Sequence, residues 1–213
     1  MQTTDLIDRL ASDLRPTSQR AAWKRLTIAL SAGSVVALGA AWLSLGLGND
    51  FAAMLLTSSL WMKWAYALGV NAAALSLCVR LARPEGAPGA LPFLLGVPLL
   101  MLGAIALIEV AGVPADERRA LWLGRTAVMC PWTIAALAIP ILVAVLLALR
   151  KLAPTRRRLT GFSAGCLAGA AAAGLYAIHC HETAAAFVVT WYTAGILLPG
   201  LVGVLIGSRV LRW

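Results

Sequence analysis

Long apolar stretches alternate with short polar segments along nearly all of this 213-residue chain. Six stretches contain about 20 mostly apolar residues, the length that an α-helix needs to cross the roughly 30 Å hydrocarbon core of a bilayer. They are residues 26–48, 64–82, 91–113, 126–149, 159–179 and 184–208. The pattern predicts an all-α, polytopic membrane protein in which residues 26–213 form a domain of six transmembrane helices.

The composition supports this class. Hydrophobic residues make up 61% of the chain and charged residues only 13%, whereas soluble domains are roughly 45–50% apolar. The spans are also rich in Gly and Ala, and small residues let helix backbones approach closely in lipid. Little of the chain is left to form a soluble domain.

Residues 1–25 form the one substantial polar segment, and its apolar positions recur at helical spacing. These positions are Leu6, Ile7, Leu10 and Leu14. The segment between Thr4 and Pro16 is therefore predicted to form a short amphipathic helix that ends at Arg15. Because so short a helix is marginal in water, its apolar stripe needs a surface. The acidic polar face favours a partner protein over an anionic membrane; an interfacial helix and a disordered tail are the alternatives.

The basic residues predict the orientation of the chain. The N-terminal segment, the loops after the second and fourth spans, and the C-terminus hold five, two, five and two Lys and Arg residues. These are fourteen of the 18 in the chain. The remaining four lie in the intervening loops. The positive-inside rule then puts both termini on the cytoplasmic side of the membrane, which is expected to be a bacterial inner membrane. Anionic lipid accounts for the +9 net charge, so direct nucleic-acid binding is not expected.

The four cysteines fall into two kinds. Cys78 and Cys166 lie within spans, without polar companions, and are interpreted as small buried hydrophobes. Cys130 and Cys180 lie at the ends of the fourth and fifth spans, at the predicted outer boundary. Pro131 is suited to the first turn of a helix, which would leave Cys130 near a helix N-terminus, where a thiolate is favoured.

The outer cysteine pair has three open interpretations. Together with His179, His181 and Glu182, the thiols could form a site for a soft metal ion such as Zn(II) or Cu(I). They could instead form a disulfide, since the compartment outside the inner membrane is oxidising. They could also be unrelated residues. The sequence does not show whether the fourth and fifth spans are neighbours.

Three other features lie near the predicted outer boundary. Lys63 is expected to extend towards the lipid headgroups. Glu109, near the outer end of the third span, is a candidate functional residue because acids inside spans are rare. Residues 51–62 are too few to cross a bilayer and are expected to lie against its outer face or to extend the second span.

These features resemble the NrsF family of bacterial membrane anti-sigma factors. The resemblance is carried by residues 4–16, which read TDLIDRLASDLRP, by the six spans, by the Cys130-Pro131-Trp132 element and by Cys180 close to an acidic residue. It implies that the N-terminal segment binds an extracytoplasmic-function sigma factor and that the outer cysteines take part in stress or metal sensing. The residues facing the sigma factor would be Leu6, Ile7, Leu10 and Leu14.

The expected function is thus a regulator rather than an enzyme: a membrane anti-sigma factor that releases its partner on a periplasmic metal or oxidative signal at Cys130 and Cys180. A membrane thiol oxidoreductase is disfavoured because the chain has no Cys-x-x-Cys motif. A metal-ion transporter is disfavoured because the spans have few polar groups at mid-membrane. No cofactor is expected other than the soft metal ion.

Overall fold

The computed structural model describes residues 19–46, 54–83 and 86–212. The predicted amphipathic helix, with its stripe of Leu6, Ile7, Leu10 and Leu14, lies outside the described residues. The described part is helical throughout and contains no strand. Its helices are α1 (Gln19–Leu45), α2 (Ser58–Leu81), α3 (Leu91–Leu94), α4 (Gly96–Ala111), α5 (Arg118–Leu123), α6 (Met129–Arg150), α7 (Arg157–Tyr176), α8 (Ala185–Phe187), a π-helical turn (Val188–Tyr192) and α9 (Thr193–Val210).

Six segments of the described chain are long and apolar enough to cross a membrane, as the sequence predicted. They are Arg20–Leu45, Ser58–Leu81, Leu91–Ala111, Met129–Arg150, Arg157–Tyr176 and Ala185–Val210. The first and second of these segments begin six residues earlier than expected. The helices continue there into turns with polar residues, which hydropathy alone excludes from a span. Residues 58–62 therefore extend the second span, which was one of the two expectations for that segment.

Helix α7 is the most buried of these segments and lies at the centre of the bundle. It packs against α9, α2 and α6, and its contact with α9 is the most extensive in the protein. Helix α4 lies at the periphery, with only Leu102 and Ala106 buried. The outer surfaces of α1, α4, α6 and α9 expose many large apolar side chains. An apolar surface of this extent is rare on a soluble monomer and is suited to lipid.

Glycines bring the backbones of α7 and α9 into direct contact. A Cβ atom on Gly161 would lie 2.0 Å from the Gly203 carbonyl oxygen, and one on Gly165 would lie 2.0 Å from the Pro199 carbonyl oxygen. Real Cβ atoms do not approach backbone this closely, so no larger residue fits without moving a helix. The small residues of the spans thus allow the close helix packing that the sequence predicted.

The alternating spans sort the loops to two ends of the bundle. One end, which we call the thiol end, holds the C-termini of α1, α4 and α7 and the N-termini of α2 and α6. The opposite end holds most of the arginines. Five of them line an open cleft between the start of α7 and the end of α9: Arg156, Arg157, Arg158, Arg209 and Arg212.

The close packing of α7 and α9 can be tested by adding one methyl group. Gly203→Ala would place a Cβ atom 2.1 Å from the Gly161 carbonyl oxygen, and overpacking of this kind costs about 1–3 kcal/mol. We expect a melting temperature lowered by several degrees for the protein purified in detergent. Gly39→Ala is the matched control, because a Cβ atom at Gly39 meets nothing within 4 Å. Equal melting temperatures for the two variants would contradict the backbone contact.

Candidate functional site

The structure brings the two outer cysteines together at the thiol end. Cys130 is the second residue of α6, and Cys180 follows the end of α7 by four residues. Both are buried, with 0% and 3% of their surface exposed. Their side chains lie close enough to interact directly, and both are free thiols. The fourth and fifth spans are thus neighbours.

Local backbone structure positions each cysteine. The Cys130 amide donates to the Thr126 carbonyl at 2.9 Å, and Pro131 lies in the first turn of α6. A proline is tolerated there because that amide has no intrahelical acceptor. On the other side, the amides of His179 and Cys180 both donate to the Tyr176 carbonyl, at 2.9 and 3.2 Å. This turn directs Cys180 back towards the bundle.

Glu182 joins the segment that carries Cys180 to the start of α6. Its Oε1 accepts from the amides of Arg125 and Thr126, at 2.7 and 3.1 Å, and from the Thr126 hydroxyl at 3.1 Å. A carboxylate at this end of a helix also complements the helix dipole. Gly124 makes room for it: the residue has a φ of 50°, and a Cβ atom there would lie 2.6 Å from Glu182 Oε2.

Lys63 reaches the same site from α2. Its side chain is only 1% exposed, and its Nζ donates to the Cys180 carbonyl at 2.6 Å. The expectation that Lys63 extends to the lipid headgroups is therefore wrong. Beyond the end of α7 the Cys180 carbonyl has no intrahelical donor, and the C-terminal end of a helix attracts a cation. The ammonium satisfies both needs by turning inward.

Two tyrosines complete the surroundings of the sulfurs. Tyr192, in the π-helical turn, is fully buried, and its hydroxyl has no partner that meets ordinary hydrogen-bond geometry. That hydroxyl interacts with Cys180. The ring of Tyr176 lies 6.2 Å from that of Tyr192. We call the cluster of Lys63, Cys130, Tyr176, Cys180 and Tyr192 the thiol site; it is a largely enclosed environment in which charges interact strongly.

The thiol site favours a negative charge on Cys180. The pKa of the Cys180 thiol is lowered, chiefly because the Cys130 thiol can donate a hydrogen bond to the thiolate. Burial acts in the opposite direction, and the positive charge of Lys63 lowers the pKa further. A thiolate is the reactive form of cysteine in both oxidation and metal binding, and Cys180 is the one of the two thiols whose thiolate this site favours.

Two of the three residues suggested as additional metal ligands have other partners. His179 Nε2 lies 3.0 Å from the Gly46 carbonyl at the end of α1, while its Nδ1 is buried without a partner. His181 is exposed, and Glu182 is held at the start of α6. Across the described residues, no group of three or more His, Cys, Asp or Glu side chains is placed to hold a metal ion. Of the five suggested ligands, the structure brings together Cys130 and Cys180.

The other singled-out residues have structural partners. Cys78 is buried, but its Sγ donates to the Ser163 hydroxyl at 3.2 Å, which corrects the expectation that it has no polar companion. Glu109 Oε2 accepts from the Ala186 amide at 3.2 Å and so connects α4 to α8. Sequence reasoning missed Lys63 as a site residue because the predicted span began at residue 64. A lysine inside an apolar helix was the signal that could have identified it.

Comparisons with known proteins assign the chain to a family. The family model described as "NrsF: Negative regulator of sigma F" matches residues 10–213. The chain is 40% identical over 216 residues to "Probable anti-sigma-F factor NrsF" of Azospira oryzae, with both chains covered completely. It is 35% identical over 215 residues to "Anti-sigma-F factor NrsF" of Caulobacter vibrioides, again over both full lengths. No solved structure matches. The chain therefore belongs to the NrsF family, as its sequence features indicated.

Proposed function

We propose that this chain is an inner-membrane anti-sigma factor that binds an extracytoplasmic-function sigma factor through its N-terminal segment and releases it when Cys130 and Cys180 react on the periplasmic side. The regulatory role rests on the family and on relatives named as anti-sigma-F factors. The observation that carries the sensing role is the contact of two cysteines 50 residues apart at one end of the bundle.

The distribution of charge supports the orientation. The thiol end carries Lys63, which is buried, and the three arginines between α4 and α6, while the opposite end carries the arginine-lined cleft. Cytoplasmic segments of membrane proteins are enriched in Lys and Arg. The thiol site would then face the periplasm, and residues 1–18, which precede α1, would lie in the cytoplasm with the partner.

A continuous route connects the thiol site to the N-terminal segment. Helix α1 begins at Gln19, within the N-terminal segment of residues 1–25, and extends through 27 residues to Leu45. At its far end the Gly46 carbonyl contacts His179, the neighbour of Cys180 in the chain. A displacement of Cys180 would therefore move the residue that holds the end of α1. Helix α1 also packs along α6, which carries Cys130.

The chemistry of the pair favours a signal that acts on two sulfurs. An oxidant would take two electrons and two protons from the thiols and leave a disulfide. A tetrahedral zinc site has four ligands, and the described residues hold no group of three or more His, Cys, Asp or Glu side chains placed for a metal ion, so zinc has less support than a disulfide. The pair fits a soft ion that thiolates bind well, such as Cu(I), with two thiolate ligands. Disulfide formation or metal binding would change the geometry of the two sulfurs, and either reaction requires both cysteines.

Reporter fusions test the orientation. A fusion after Arg157 is expected to behave as cytoplasmic, because the segment around it is rich in arginine, and a fusion near Glu117 is expected to be exported. The measurement is alkaline phosphatase activity and green fluorescent protein fluorescence for fusions at each of the two positions. The reverse pattern would put the thiol site in the cytoplasm and contradict periplasmic sensing.

A charge in the apolar stripe tests the docking segment. Leu10→Asp should release the sigma factor and switch on its target promoters without any signal. Loss of about 2 kcal/mol at an interface weakens binding about thirtyfold. Ser12→Ala is the control and should leave the reporter repressed, since Ser12 lies on the polar face of the predicted helix. Similar reporter output from the two variants would argue against docking through this stripe.

Serine substitutions test the thiol pair. Cys130→Ser and Cys180→Ser should each abolish induction by oxidant or copper, and the double variant should match either single one, because residues that act as a unit are not additive. Cys78→Ser and Cys166→Ser serve as controls and should keep induction. The readout is promoter activity across doses of each inducer. Full induction in either outer single variant would overturn the paired mechanism.

A further inference from the structure

Lys63 places a positive charge where a membrane protein would ordinarily exclude one. It lies in the second turn of α2, within a segment apolar enough to span a membrane, and only 1% of its surface is exposed. Burial of an ammonium group is unfavourable unless other groups compensate for the lost water. Ionisable residues retained in such positions mark functional sites more often than structural ones. The groups around Lys63 therefore indicate its role.

Those groups all belong to the segments that carry the two cysteines. The ammonium donates to the Cys180 carbonyl at 2.6 Å and interacts electrostatically with the sulfurs of Cys180 and Cys130 and with Glu182. The carbonyl contact fixes the position of the Cys180 segment relative to α2, just as Glu182 fixes it relative to α6. The thiol site is thus held from both sides, and one of the two supports carries a positive charge.

A hydrogen bond to a carbonyl alone would not need that charge. A neutral donor of similar length could satisfy the Cys180 carbonyl without the unfavourable burial of an ion. A buried cation beside two thiols is useful when a sulfur becomes anionic, because opposite charges attract strongly in a poorly solvated site. The anionic sulfur is the form that attacks an oxidant or binds a soft metal.

We propose that Lys63 is a positioning residue of the thiol site, which holds the Cys180 segment so that the two sulfurs meet and supplies the counter-charge for the sulfur anion that reacts. This inference rests on the proposed role of the cysteine pair. It assigns to α2 a direct part in the site, alongside α6 and α7. Lys63 itself does not form a bond to the reacting atoms.

The first test measures the rate of disulfide formation in the purified full-length protein in detergent. Diamide is the probe: a sulfur anion adds to its N=N bond, and the second sulfur then displaces the nitrogen, giving the disulfide and the hydrazine. The two electrons and two protons of the thiols end on the two nitrogens. We expect Lys63→Met to slow the Cys130–Cys180 disulfide about tenfold, since a hydrogen bond to a charged group is worth about that factor or more.

Two further variants separate charge from hydrogen bonding. Lys63→Arg keeps both and should retain most of the rate, whereas Lys63→Gln keeps a donor without the charge and should behave like Lys63→Met. Arg118→Met removes an exposed charge at the same end of the bundle and should react like the unchanged protein. Melting temperatures show that the variants are folded. A wild-type rate in Lys63→Gln would overturn the counter-charge role.

The second test reads the charge directly. In a Cys130→Ser background, Cys180 is alkylated with iodoacetate, an anion, and with iodoacetamide, which is neutral, and mass spectrometry gives both rates. Loss of a nearby positive charge should lower the iodoacetate-to-iodoacetamide ratio in Lys63→Met, whereas mere loosening of the structure would change both rates together. An unchanged ratio would overturn the proposal. Both tests use purified protein, so they stand even if Cys130 and Cys180 prove dispensable for sigma-factor release.

Discussion

The backbone contact between α7 and α9 is the constraint on which the remaining architecture depends. Helices in lipid gain little from burying apolar side chains, because lipid is equally apolar, so close van der Waals contact decides which of them associate. Gly161 and Gly203 permit that contact at distances that a Cβ atom would prevent. With α9 seated on one face, α7 offers its other faces to α2 and α6. Helices α2 and α6, which carry Lys63 and Cys130, are thereby assembled around α7, the helix that precedes Cys180.

The polar groups at the thiol end act on this frame as specific connections between helices. Lys63 connects α2 to the Cys180 segment, Glu182 connects that segment to the start of α6, and His179 connects it to the end of α1. Glu109 similarly connects α4 to α8. The Lys63 bond is buried, and in such poorly solvated surroundings a hydrogen bond is strong and its loss leaves a polar group unpaired. A chemical change at Cys180 therefore acts on a segment to which three other helices are attached.

This arrangement suits a regulator of the NrsF family better than a reactive centre open to substrate. Both sulfurs are buried, with Tyr176 and Tyr192 beside them, so a small oxidant or metal ion has access more readily than a large molecule. Glu182 and His179, which the sequence suggested as ligands, form hydrogen bonds that hold the loop in place. The residues around the pair thus determine where the sulfurs lie, and both cysteines of the pair are free thiols.

The sequence by itself determined the properties that depend on local composition. Hydropathy identified the six segments that are long and apolar enough to cross a membrane, since that property depends on each segment separately. Pro131 correctly indicated that Cys130 lies in the first turn of a helix. The family followed from motifs and span number. The docking stripe at Leu6, Ile7, Leu10 and Leu14 and the cytoplasmic termini stay predictions from the sequence.

Only the tertiary structure decided which distant residues meet. The contact of Cys130 with Cys180 depends on α6 and α7 being neighbours, and that depends on glycine contacts spread over several helices rather than on any short motif. Lys63 was misjudged for the same reason: a lysine near a span end can reach either headgroups or a carbonyl on another helix. Lys63 turns inward because the Cys180 carbonyl, which has no donor within its own helix, lies within reach. No local pattern around residue 63 encodes the position of that carbonyl.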